Sequence, residues 1–74
     1  MSDTVKVNGG TMTRDDIKRI REAYDEAVKQ GVDQFEVQLR REDGNGVFYP
    51  TIELATRYAK YLLEYAEPIF KSRD

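Results

Sequence analysis

The chain has 74 residues, with 12 basic and 14 acidic side chains, a net charge of −2, and neither cysteine nor histidine. A chain of this length buries only about 60% of its unfolded surface, and this one lacks the disulfides and common zinc sites that steady many domains of its size. The mixed charge argues against a nucleic-acid module, no apolar run approaches the roughly 20 residues that span a bilayer, and MSDTVKVNGG lacks the form of a signal peptide.

These bounds predict one complete cytoplasmic globular domain, residues 1–74, with a stability margin thin enough that self-association or a bound partner would help. Along the chain, Thr4-Val5-Lys6-Val7 alternate in the strand period, so Val5 and Val7 are expected to face inward. Asn8-Gly9-Gly10 then turns the chain, either as a tight hairpin with a very short return strand over residues 10–12 or as a simple bend into the first helix. The simple bend is preferred.

Thr13 is a good N-cap, with Asp15 and Asp16 in the first turn and Asp16 at the third position of an imperfect capping box. Ile17, Ile20, Tyr24, Ala27 and Val28 make an apolar stripe of about 100°, the ordinary width for a helix with one buried side. The opposite side offers Asp15/Arg19, Lys18/Glu22, Arg21/Asp25 and Asp25/Lys29 at i,i+4. Each such pair adds only about 0.2–0.5 kcal/mol, so this side reads as a solvated face. Gly31 is placed to end the helix in a left-handed cap, with Val32 folding back onto Ala27.

From Gln34 to Arg41 the alternation returns, with Phe35, Val37 and Leu39 on one face. Asp43-Gly44-Asn45-Gly46 contains two favoured hairpin turns. Turning at Asp43-Gly44 pairs Leu39 with Phe48 and Val37 with Pro50, apolar with apolar, and is preferred; turning at Asn45-Gly46 would set Phe48 against Asp43. A longer loop using all four residues is a further choice. Pro50 and Thr51 are expected to hand the chain to a second helix over residues 52–67, which Pro68 should stop, with Ile69 and Phe70 forming one further turn at most. The fold expected is α+β, ordered β-α-β-β-α, with a small three-stranded, mainly antiparallel sheet and two helices packed on one face.

The second helix carries the strongest signal. Its polar positions Glu53, Thr56, Arg57, Lys60, Glu64 and Glu67 fall in one arc of roughly 100°, while apolar residues spread over roughly 200°, about twice what one core contact needs. One flank carries Leu54, Tyr58, Tyr61 and Tyr65, the middle Leu62 and Ile69, and the other flank Ala55, Ala59 and Ala66. Alanines admit close backbone packing, whereas a tyrosine buries its ring and keeps its hydroxyl near water or a partner. The tyrosine flank therefore either rims the core or forms a protein contact.

Chemistry finds little footing. Without His or Cys there is no thiol nucleophile, imidazole base or Ser-His pair. The carboxylate pairs Asp15/Asp16, Asp25/Glu26 and Glu42/Asp43 read as dipole complement, solvated face and turn. DGNG is too short for an EF-hand loop, and Asn8-Gly9-Gly10 is a weak phosphate signal. No enzyme activity, cofactor or metal is expected. Lys6, Arg40, Arg41 and Tyr49 would make a single-stranded nucleic-acid face if they gathered on the sheet, although Glu36 and Glu42 oppose it.

The leading expectation is a non-enzymatic protein-interaction module, self-associating as a homodimer through Leu54, Tyr58, Tyr61 and Tyr65. In size, acidity and lack of cysteine over its whole length, the chain also resembles the small accessory proteins that bacteriophages encode to block host machinery, including anti-CRISPR inhibitors. That resemblance implies an acidic interface, with Glu22, Asp25, Glu26 and Glu64 meeting a basic nucleic-acid-binding surface of the target.

Overall fold

The computed structural model describes residues 3–7 and 10–74, and it is α+β. Strand β1 (Thr4–Val7) pairs antiparallel with β2 (Gly10–Thr13), which leads directly into helix α1 (Arg14–Gln30). The short return strand thus forms where a simple bend was preferred; Asn8 and Gly9, the expected turn, lie outside the described residues. The pairing sets buried Val5 opposite Met12, which also packs on the core. Since β2 is its partner, β1 does not supply a third strand to the second hairpin, and three two-stranded ladders replace the expected three-stranded sheet.

Both ends of α1 follow the local signals. The Asp16 amide donates to Thr13 Oγ1 and the Thr13 amide to Asp16 Oδ2, each at 3.0 Å, so the capping box is reciprocal. At the other end Gly31 adopts φ 72°, and Val32 N–H reaches back to the Ala27 carbonyl at 3.1 Å. A side chain at Gly31 would meet the left-handed penalty, which is why the helix stops there. Of the predicted stripe, Ile17, Ile20 and Ala27 are buried and Tyr24 packs on the core edge, whereas Val28 is exposed. Arg19 and Arg21 make the expected i,i+4 pairs with Asp15 and Asp25.

The second hairpin holds one register throughout: β3 (Gln34–Gln38) with β6 (Thr51–Ala55), then β4 (Arg41–Asp43) with β5 (Gly46–Phe48). Leu39 N–H bridges the gap by donating to the Pro50 carbonyl at 2.9 Å. Val37 faces Ile52 and Phe35 faces Leu54, so the expected pairing of Leu39 with Phe48 is corrected by a slide of two residues. A slide of two leaves every side chain on its original face, so face alternation alone cannot choose between these registers. The tip turns at Gly44-Asn45, held by the Asn45 amide on the Asp43 side chain at 2.8 Å, with Gly46 at φ 125°. Phe48 lies opposite Arg41 and is exposed, not in the core.

The same slide moves the second helix. Ile52 and Leu54 belong to β6, and α2 (Thr56–Arg73) begins four residues later than expected. Thr51 is not its cap; instead Thr56 donates its amide to the Asp33 carbonyl at 2.7 Å and its hydroxyl to the Val32 carbonyl at 2.8 Å. Pro68 sits inside α2 and does not end it. Continuing the helix buries Phe70 between the guanidiniums of Arg14 and Arg73, 5.1 and 5.5 Å from its ring, and that contact offsets the lost helical bond. Pro68→Ala is expected to raise stability by about 1–2 kcal/mol, less than the roughly 3 kcal/mol propensity gap because proline also restricts the unfolded chain; the urea midpoint measures it.

The core joins Val5, Ile17, Ile20, Val37 and Leu39 to Ala59, Leu62, Leu63, Ala66 and Phe70 of α2. Between the helices, Arg21 forks onto the Glu67 carboxylate, with Nε to Oε2 at 2.8 Å, and also reaches Asp25. These bonds hold the Arg21 guanidinium firmly protonated, its pKa raised first by the bond to Glu67.

Candidate protein-interaction site

Helix α2 divides into two sides. Ala59, Leu62, Leu63 and Ala66 face inward with at most 3% exposure. Tyr58, Tyr61 and Tyr65, spaced three and four residues apart, form a ridge beside them. Tyr61 is 62% exposed and Tyr65 54%, while Tyr58 is half-buried. A ring left that far in water has surrendered its burial energy in the isolated chain, so only Tyr58 fits the reading of a core rim.

A groove of about 270 Å³ runs beside the ridge, with Tyr58, Tyr61, Leu62 and Tyr65 along one wall and Lys6 and Val7 of β1 along the other. The second wall is fixed from both ends of the chain. Arg73 Nη1 donates to the Thr4 carbonyl at 2.8 Å, Arg14 N–H donates to the Asp3 carbonyl at 3.1 Å, and the Arg14 side chain pairs with both Asp3 and Asp74. The bond from Arg14 holds the Asp3 carboxyl below its ordinary range. Lys6 and Val7 belong to the site through contacts far apart in sequence, so helical spacing alone could not reveal them. Leu54 departs from the predicted set: it lies on β6 opposite Phe35 and packs toward the core.

Beyond the tyrosine ridge, α2 presents Arg57, Lys60 and Glu64, all exposed and without an ion pair among the described residues. Glu64 is thus separated from the rest of the predicted acidic interface. Asp25 is taken up by Arg21, while Glu22 and Glu26 line two clefts between α1 and β3 that also hold Glu36, with Glu53 beside Glu26 in one of them. Glu36 and Glu53 are direct cross-strand partners, a like-charge opposition that costs stability.

Of the predicted nucleic-acid residues, Arg40, Arg41 and Tyr49 come together on the outer part of the second hairpin, where Arg41 lies opposite Phe48, while Lys6 lies apart. Arg41 binds Asp16 at 2.7 Å, Arg40 pairs with Glu42 at 3.5 Å, Tyr49 lies 5.5 Å from the Arg19 guanidinium, and Lys6 lines the tyrosine groove. Asp16, read from sequence only as a helix-start residue, is fully buried and ties β4 to the N-terminus of α1. Among the described residues there is no group of acidic side chains arranged to hold a metal ion, and no helix long and apolar enough to cross a membrane. No known protein family, curated protein or solved structure matches the chain.

Proposed function

We propose that the protein is a non-enzymatic interaction module that self-associates through α2, with Tyr58, Tyr61 and Tyr65 as anchors. The observation that carries this reading is the exposure of Tyr61 and Tyr65 along a groove that buried Leu62 also lines. Large rigid rings along an apolar groove are what protein contacts use, since they cover much area with little loss of side-chain entropy. Light scattering on a size-exclusion column over a hundredfold range of concentration tests it. The chain should run at twice its own mass at the upper end, and Tyr61→Ala should return it to a folded monomer with at least a tenfold weaker Kd. A monomer at every concentration defeats the reading.

A second reading follows from the acid-walled clefts on α1 and β3: an inhibitor of the bacteriophage type, which blocks a basic nucleic-acid-binding surface. Glu36 opposite Glu53, with Glu26 on the same cleft, supports it, because a cationic partner would relieve that repulsion. Binding to a basic target that falls steeply with salt and survives Tyr61→Ala would favour this surface over the tyrosine ridge.

A further inference from the structure

Resting on the self-association reading, we infer that the two copies meet as an antiparallel pair of α2 helices related by a two-fold axis near Tyr61, with Arg57 of each copy facing Glu64 of the other. At 100° per residue Arg57 and Glu64 point within about 20° of each other, and both lie about 40–60° round from Tyr61, on the side away from Tyr58, Tyr65 and β1. They flank the exposed seam on one side only. Along the axis Arg57 lies four residues before Tyr61 and Glu64 three residues after it, near-equal distances of about 6 and 4.5 Å.

These positions decide the orientation. When two identical helices pack antiparallel about a two-fold axis, the same flank of each helix meets its copy, and a residue before the axis faces one after it. Arg57 then meets Glu64 twice, once on each side of the axis, as an isologous contact requires. In a parallel pair opposite flanks meet, and Arg57 and Glu64 would lie against the partner's tyrosine ridge and β1 wall, where Lys6 offers a partner to Glu64 but none to Arg57. Both side chains are exposed and have no ion-pair partner among the described residues, so neither must leave an existing bridge to form the new one. Lys60 lies further round the helix, three residues after Arg57 and four before Glu64, and makes no ion pair with Glu64 among the described residues. The antiparallel arrangement also brings each Tyr61 ring to the axis, beside the partner's groove.

The test is a charge-swap cycle read by sedimentation equilibrium at low salt. Arg57→Glu and Glu64→Arg should each weaken the dimer about tenfold, since each replaces two attractions by two repulsions. The double variant Arg57→Glu/Glu64→Arg should recover to within about threefold of the unmodified chain, because the pairing is restored with its signs exchanged. Circular dichroism should show all three variants folded, as expected for exposed positions. If the unmodified chain dimerises but the single changes have no effect, or the double change is weaker than either single one, the antiparallel arrangement is overturned while the tyrosine contact stands. If the unmodified chain stays monomeric at every concentration, both fall together.

Discussion

Replacing Arg41 by methionine is expected to cost about 2–3 kcal/mol, while Asp16→Asn should cost only about 1 kcal/mol, although the two residues form one ion pair. The asymmetry comes from their exposure. Asp16 has no solvent contact, whereas the Arg41 side chain retains about a third of its surface in water. Taking away the guanidinium leaves a buried carboxylate with only the Thr13 amide and the helix dipole to stabilise it. Taking away the carboxylate's charge lets Arg41 turn to solvent, and the amide oxygen of an asparagine can still accept from the Thr13 amide at the N-cap. The water already reaching Arg41 is why the larger figure stays below the full cost of breaking a buried pair. Chemical denaturation of the two single variants and the double variant measures the difference; equal costs would mean that Asp16 is reached by water and is no hub.

Leu63→Ala should be among the most damaging single changes on α2, costing about 2–5 kcal/mol by lost transfer energy and an unfilled cavity. Leu63 is 1% exposed and belongs to the core formed by both helices and β3. For a chain of this size the whole stability is about 4–11 kcal/mol, taking 0.05–0.15 kcal/mol per residue, so the variant should give up a large share of it and melt well below the unmodified chain. Tyr61→Ala, two residues earlier on the same helix, removes a side chain that is mostly in water and should change monomer stability by less than about 0.5 kcal/mol. Thermal melts of the two variants at low concentration, where mass action between copies is weak, separate these effects. A large loss for Tyr61→Ala there would return that ring to the core.

What the sequence disclosed depended on how far apart the deciding residues lie. Thr13 with Asp16, and Gly31 with Val32 and Ala27, are settled within one or two helical turns, and they stand as read. The hairpin register depends on a turn with several competent dipeptides and on a slide that preserves faces, so neither turn chemistry nor alternation could choose it. The start of α2 moved with it: Ile52 and Leu54 suit a helix as well as a strand until Val37 and Phe35 are placed opposite them. Pro68 read as a stop because its local cost is visible, while the burial of Phe70 that offsets it is a tertiary contact. For the same reason the tyrosine ridge was legible from its spacing, but the wall of Lys6 and Val7 was not. Likewise Asp16 looked like an ordinary first-turn residue of a capping box, because its partner Arg41 is 25 residues away.

The chain's two described ends converge on a single guanidinium. Arg14 holds Asp3 at 3.0 Å and Asp74 at 2.8 Å, and Arg73 holds the Thr4 carbonyl, so the first strand and the last helical turn are fastened to one another. Segments joined in this way do not fray independently. The N-terminal strand and the last turn of α2 are therefore expected to open together, and because that strand is also a wall of the tyrosine groove, loosening the C-terminal turn is expected to widen the groove.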